Sequence, residues 1–99
     1  MNEQVLQALR TVIEPDLGVN IVDLGLVYGA EMVDGKVEVE MTMTTPACPY
    51  QGQMRETAEE MIWRQVPGVE SVDIQVVWSP PWQEKMMSEK AREQLGWKK

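Results

Sequence analysis

Residues 24–44 read LGLVYGAEMVDGKVEVEMTMT, and this stretch decides the fold of the 99-residue chain. Asp34-Gly35, in its second half, is the strongest short signal for a β-hairpin. After that turn apolar and polar residues alternate strictly, and before it they alternate more loosely. The stretch therefore predicts two antiparallel strands, with one face on the core and the other facing water or a loop. The apolar positions are Leu24, Leu26, Tyr28, Ala30, Met32, Val37, Val39, Met41 and Met43.

Helical spacing of apolar residues flanks the hairpin on both sides. It predicts one helix over 3–13 and another over 49–66, with Pro49 at the first helical position. Residues 72–78 alternate as a third strand, and Ser88 caps a last helix that ends at Leu95-Gly96. The order α-β-β-α-β-α predicts a small α+β fold, a three-stranded mixed sheet with helices packed on it. The length predicts a single domain over residues 1–99.

Composition excludes several classes of function. The formal net charge is −7, and residues 1–82 carry all of the negative excess, because residues 83–99 have a net positive charge. Such an acidic body would repel a phosphate backbone, which argues against nucleic-acid binding. Histidine is absent, so a Cys–His pair, a Ser–His–Asp triad and a histidine-ligated zinc site are impossible within the chain. No apolar run approaches the length of a membrane span, and the N-terminus does not resemble a signal peptide. A lone cysteine fits a reducing compartment, so we expect a cytoplasmic protein with no membrane or nucleic-acid partner.

The single cysteine, Cys48, is the first candidate functional residue. It stands just before Pro49, where a helix is predicted to begin, and unpaired N–H groups at a helix start favour a thiolate. Such cysteines have pKa values lowered to roughly 3.5–7.5, and the thiolate binds soft metals and attacks electrophiles. The alternative is a small apolar side chain that fills space beneath the loop.

Polar residues at the ends of the hairpin form the second candidate group. Hairpin pairing places residues near 24–26 opposite residues near 42–44, so Asp23 and Cys48 are expected at one end of the sheet. Thr44 and Thr45 can donate hydrogen bonds to a thiolate or an oxyanion. Glu14, Asp16 and Asp23 lie on the segment that leads into the first strand. Their alternative role is turn and capping chemistry.

Large apolar residues concentrate in the last part of the chain, at Trp78, Trp82, Met86, Met87 and Trp97. We expect them to cover the open side of the small sheet. The alternative is an exposed patch for a partner protein, for which Trp and Met are favoured.

Four motifs carry a resemblance to a known family. Residues 14–28 read EPDLGVNIVDLGLVY, residues 44–49 read TTPACP, residues 66–72 read VPGVESV and residues 78–82 read WSPPW. In this order they resemble the blocks of the SufT/PaaD family of iron–sulfur assembly factors, over nearly the whole chain. The family usually has glutamate where Asp16 stands. The extra C-terminal cysteines of PaaD are absent here, which favours the SufT-like branch.

The resemblance implies an adaptor that assists iron–sulfur protein maturation through Cys48 and is not an enzyme. Its partners would be the assembly machinery and client apoproteins. By position, Glu14, Asp16, Asp23, Thr44, Thr45 and Cys48 would line the family's site. One alternative is maturation of a di-iron oxygenase of phenylacetate degradation, as for PaaD. The other is a small thiol enzyme with Asp23 or Glu14 as base, which is disfavoured because carboxylates oppose thiolate formation.

The side chains that could bind a metal also limit how this chain could hold an iron–sulfur cluster. A cluster normally needs four protein ligands, and one chain offers a single thiolate and no imidazole. No intrinsic cofactor is expected. Cys48 either shares a transient cluster with outside thiols, as in a homodimer, or contacts a client or carrier transiently.

Overall fold

The structure is a computed structural model that describes residues 1–44 and 49–96. Thr45, Cys48 and Trp97 therefore lie outside the described residues. Within the described residues, none of the helices has the length and apolar character that a bilayer crossing requires. The elements in chain order are α1 (Glu3–Leu9), β1 (Ile13–Glu14), β2 (Val19–Asn20), β3 (Val27–Val33), β4 (Lys36–Met41), α2 (Gln51–Gln65), β5 (Ser71–Val76), a 3₁₀ helix (Glu84–Met86) and α3 (Glu89–Leu95).

The predicted hairpin is confirmed as the antiparallel pair β3–β4. Its two turn residues have positive φ angles, 51° at Asp34 and 79° at Gly35, as a two-residue type I′ turn requires. The carbonyl of Gly35 also accepts hydrogen bonds from the N–H groups of Glu70 (2.7 Å) and Ser71 (3.2 Å). The turn therefore fixes the start of β5 as well as the register of the hairpin.

The third strand pairs in parallel with β4, so the sheet is mixed, in the order β3-β4-β5. A parallel pair needs a crossover connection, and α2 provides it. The α+β fold predicted from the sequence is thus confirmed. Several helices and strands start or end at other residues than predicted. For example, β3 begins at Val27, β5 ends at Val76 and α2 begins at Gln51.

The core lies between one face of the sheet and the helices α1 and α2. Along β4 the residues Val37, Val39 and Met41 are buried, while the intervening glutamates are exposed. From α1 the core receives Val5, Ala8 and Leu9, and from α2 Met54, Ala58 and Ile62. The inner face of the sheet is therefore apolar, and its outer face carries the acidic residues.

The first helix is shorter than predicted and ends at Leu9. The N–H groups of Thr11 and Val12 close turns onto Ala8 (3.2 Å) and Leu9 (3.0 Å), and the carbonyl of Val12 accepts from Ile21 (3.0 Å). Ile13 and Glu14 then pair with Val19 and Asn20 as the two-stranded sheet β1–β2, which the sequence did not predict. The helix predicted over residues 3–13 is therefore too long. Val12 is buried as the helical spacing predicted, but Ile13 is 52% exposed and pairs along a strand.

The segment after β5 covers the starting end of β3. The Trp82 indole N–H donates to the carbonyl of Leu24 (2.7 Å), the Tyr28 hydroxyl donates to that of Pro80 (2.7 Å), and Met87 is buried. Ser88 caps α3, its hydroxyl accepting from Ala91 N–H at 3.1 Å, as predicted. Trp82 and Met87 thus pack on the body, whereas Trp78 is 42% exposed. Trp97 lies outside the described residues.

Candidate functional site

The two chain segments that carry the candidate residues leave the sheet at the same end. The N–H of Thr42 donates to the carbonyl of Leu26 at 2.8 Å, as the predicted pairing of residues near 24–26 with residues near 42–44 requires. On the other side, the N–H of Val77 donates to the carbonyl of Met41 at 2.8 Å. Asp23 precedes this end of β3, and the half-buried Thr44 follows this end of β4.

Asp23 is held in place by Asn20. The Asn20 side-chain amide donates to Asp23 Oδ2 at 2.7 Å, and its Oδ1 accepts from the Asp23 N–H at 2.9 Å. The carbonyl of Asp23 accepts from the N–H of Ser88 at 2.7 Å, which ties this turn to the start of α3. The Asp23 carboxylate therefore has a fixed position. Sequence reasoning missed Asn20, although an asparagine three residues before an aspartate is a typical turn spacing.

The other two carboxylates lie on the β1–β2 hairpin. Glu14 is only 1% exposed, and its Oε1 accepts the N–H of Leu17 at 2.7 Å. Its carbonyl accepts the N–H of Gly18 at 2.8 Å, so Glu14 organises the loop that reverses the chain. Asp16 is exposed at the tip of that loop. At least Glu14 therefore has the alternative role predicted for these acidic residues, which is to stabilise a turn.

Among the described residues, no side chain caps the start of α2. Its N-cap is Tyr50, which makes no side-chain capping hydrogen bond, and the first turn contains no acidic residue. The helix was predicted to begin at Pro49, which instead lies before the cap. Cys48 consequently precedes the cap by two positions in the chain, and the cysteine itself lies outside the described residues.

A notch of about 330 Å³ lies beside this helix start, lined by Gln51, Gly52, Arg55 and Val76. Val76 is the last residue of β5 and is paired with Met41, so the notch lies at the end of the sheet where β4 leads into the cysteine loop. The guanidinium of Arg55 and the positive end of the helix dipole both favour an anion here.

Thr42 is a second residue that sequence reasoning missed. It was placed on the polar side of its strand, yet it is fully buried. Its hydroxyl has no hydrogen-bond partner among the described residues. Alternation along β4 predicts a polar face but does not predict which positions of that face become buried, so no sequence signal pointed to this burial.

The described residues do not provide a metal centre. Across residues 1–44 and 49–96, no group of three Asp or Glu side chains is placed to hold a metal ion. The full sequence contains one cysteine and no histidine. A cluster normally has four protein ligands, usually thiolates, and a single cysteine supplies one of them.

Comparison with known proteins places these features in a family. A family model described as "iron-sulfur cluster assembly protein" matches residues 2–76. The Fe-S protein maturation auxiliary factor YitW of Bacillus subtilis is 36% identical over 97% of this chain and 94% of its own length. The Fe-S protein maturation auxiliary factor SufT of Staphylococcus aureus is 40% identical over 86% of this chain and 97% of its own.

The fold agrees with a solved structure as well. A crystal structure of a domain of unknown function, DUF59, from Bacillus anthracis superposes with a TM-score of 0.90 and 38% sequence identity, covering 95% of this chain and 90% of that one. This chain and the Bacillus anthracis domain are thus similar in both sequence and fold over nearly their whole lengths. The chain belongs to the iron–sulfur cluster assembly protein family.

Proposed function

We propose that this chain assists the maturation of iron–sulfur proteins, and that Cys48 makes transient contact with the cluster or with a thiol of its carrier. The observation that carries the proposal is the positive start of α2 with Arg55 beside it, three positions after the only cysteine of the sequence. The names of the two relatives favour iron–sulfur maturation over maturation of a di-iron oxygenase. Residues 1–99 act as one domain, since α1, α2 and the C-terminal segment all pack on one sheet.

The electrostatics of the notch support a role for an anionic sulfur. Cys48 directly precedes Pro49 in the chain, and Pro49 directly precedes the cap of α2. The positive end of the helix dipole and Arg55 stabilise negative charge at that end of the helix, so a thiolate nearby is favoured over a thiol. The same charges attract a thiolate-ligated cluster, which is also an anion. Asp23, Thr44, Thr45, Glu14 and Asp16 complete the site, with Asn20 fixing the Asp23 carboxylate.

The number of cluster ligands in the chain favours an adaptor, which contacts a cluster transiently, over a carrier, which holds one. One thiolate holds one corner of a cluster, so the remaining ligands come from a partner, either a client apoprotein, the assembly machinery or a second copy of the chain. The chain performs no catalysis in this proposal, and it acts in the cytoplasm, where a free thiol stays reduced.

The first experiment tests the thiol in cells. A host that lacks its own copy of this chain is complemented with wild type, Cys48→Ala or Cys48→Ser, and the activity of a [4Fe–4S] dehydratase such as aconitase is measured. Both variants are expected to fail to restore activity while accumulating to the wild-type level. Restoration by a stably folded Cys48→Ala protein would disprove the proposed role of Cys48.

The second experiment tests the notch, with a matched control on the same helix. Arg55→Gln removes the guanidinium beside the helix start, and Arg64→Gln removes one at the far end, where Arg64 pairs with Glu60 at 2.8 Å. At neutral pH, iodoacetamide should alkylate Cys48 about two- to fivefold more slowly in R55Q, and at the wild-type rate in R64Q. Equal rates in both variants would show that Arg55 does not act on the thiol.

Carrier and adaptor are separated by anaerobic reconstitution with iron and sulfide. The adaptor proposal expects no stoichiometric bound iron and no visible absorption for the chain alone. A stable cluster on the purified chain would favour the carrier.

A further inference from the structure

A large apolar cavity lies on the outer face of the sheet, the side of β3–β4–β5 opposite to α1 and α2. Its volume is about 630 Å³, within the range of small-molecule and side-chain binding pockets. The C-terminal segment forms one wall and the start of β3 forms the other. The main apolar lining residues are Val27, Tyr28, Val77, Pro80 and Met86, and Glu40 also lines the cavity.

An acidic groove of about 300 Å³ continues from this cavity along the sheet. Glu40 lines both spaces, so they form one surface. Further along, Glu31, Glu38 and Asp73 stand directly opposite one another on three neighbouring strands. Lys36 belongs to the same face of β4 but lies at the turn and does not line the groove.

Among the described residues, this row of carboxylates has few stabilising partners, one of which is the Gln75 side-chain amide that donates to Asp73 Oδ2 at 3.5 Å. Like charges directly opposite on neighbouring strands repel one another and destabilise a sheet. Within the described residues, the one ion pair of these side chains joins Glu31 to the N-terminal amine at 3.7 Å. The row is therefore an open region of negative potential, and a cationic partner would relieve the repulsion.

Gly29 keeps the floor of the groove open. It lies inside β3, opposite Glu40, where a glycine weakens a strand. Its φ angle is outside the left-handed region, and an added Cβ would meet only the Glu40 side chain, at 3.5 Å and 3.8 Å. The register of β3 and β4 shifts between Val27 and Gly29, so this glycine lies at a β-bulge, a usual place for a strand glycine. Its missing side chain also leaves the floor of the groove free for an approaching chain.

We propose that the outer face of the sheet binds an extended segment of a partner protein that carries a large apolar side chain followed within two or three residues by lysine or arginine. The apolar side chain enters the cavity beside Tyr28 and Met86. The basic side chains then lie over Glu40 and Glu38. Two residues of an extended chain cover about 7 Å, which matches the spacing of these two glutamates along β4. In this proposal the surface binds the segment whether or not the Cys48 thiol is intact.

The test uses a synthetic heptapeptide, acetyl-GLGKGKG-amide, whose leucine and two lysines lie on one face of an extended chain. It is titrated into the isotope-labelled full chain and followed by two-dimensional NMR. Saturable shifts are expected at the amides of Gly29, Glu38, Glu40 and Val77. Two control peptides replace the leucine by serine or both lysines by glutamate. Each control should bind at least about fivefold more weakly, since each removes one half of the recognition.

Protein variants locate the binding. Glu38→Gln with Glu40→Gln should weaken binding about five- to tenfold, and the control pair Glu56→Gln with Glu59→Gln, exposed on α2, should leave it unchanged. Gly29→Val should abolish binding by filling the floor of the groove. Unchanged circular dichroism and melting temperature show that this variant is folded, and Gly29→Ala is a smaller step if it is not.

Three outcomes would overturn the proposal. One is the absence of saturable shifts with acetyl-GLGKGKG-amide. Another is equal weakening by the α2 control pair, which would mean that only net charge attracts the peptide. The third is shifts on this face that depend on protein concentration alone, which would mean that a second copy of the chain occupies it. Since the Cys48→Ala protein should bind the peptide normally, failure here is distinguishable from failure of the proposed maturation role.

Discussion

Substitution of Gly25 by alanine tests whether the C-terminal segment is locked onto the starting end of β3. Gly25 has a φ angle of 80°, a left-handed conformation that costs a side-chain-bearing residue about 1–2 kcal/mol. A Cβ at this position would also overlap the carbonyl oxygen of Met86 and lie 2.8 Å from both the carbonyl carbon and the Cβ of Met86. Because these are mostly backbone atoms, the segment must move away.

The size of the effect follows from the hydrogen bonds that such a movement breaks. Three of them join this segment to the body, from the Trp82 indole to Leu24, from the Tyr28 hydroxyl to Pro80, and from the Ser88 N–H to Asp23, each at 2.7 Å. Each contributes about 1 kcal/mol net, so losing two or three adds about 2–3 kcal/mol. Gly25→Ala should therefore lower the free energy of unfolding by about 3–5 kcal/mol.

Urea denaturation followed by circular dichroism measures this change, and Gly18→Ala is the matched control. Gly18 has a similar φ angle of 69°, but nothing lies within 4 Å of its added Cβ. The control should lose only the conformational part, about 1–2 kcal/mol. If the two variants lost the same free energy to within about 0.5 kcal/mol, the close approach of Met86 to Gly25 would carry no energetic weight and the reasoning would be refuted.

Three further substitutions test single features by thermal or urea unfolding. Asn20→Ala removes both hydrogen bonds to Asp23 and should cost about 1–3 kcal/mol, and a cost near zero would show that Asp23 is held by other contacts. Thr42→Val replaces a buried hydroxyl that has no partner among the described residues, so it should be neutral or stabilising by up to about 1 kcal/mol, and clear destabilisation would contradict that account. Glu38→Gln should raise the melting temperature by relieving repulsion, and the gain should shrink in high salt. A gain that does not depend on salt would exclude charge repulsion as its cause.

The candidate site was predictable in part. The hairpin register that brings Asp23 and Thr44 to one end of the sheet follows from Asp34-Gly35 and from alternation. The roles of the acidic residues did not follow, because Glu14 is engaged by its own loop and Asp23 by Asn20, contacts that depend on a chain reversal between β1 and β2. The start of α2 was predicted at Pro49 and lies at Gln51.

The sequence by itself determined those features that depend on neighbours in the chain. Turn residues with positive φ angles, the alternation along β4, the Ser88 cap and the left-handed Gly96 after α3 are all local, so the α+β order could be read directly. Only the tertiary structure decided which polar positions are covered. Thr42, just after β4, is buried and Glu38, within β4, is exposed, although alternation predicts both on the polar side. Burial depends on how segments distant in the chain pack against each end of the sheet. Contacts between residues about 60 positions apart, such as Trp82 with Leu24, leave no periodic signal in a single sequence.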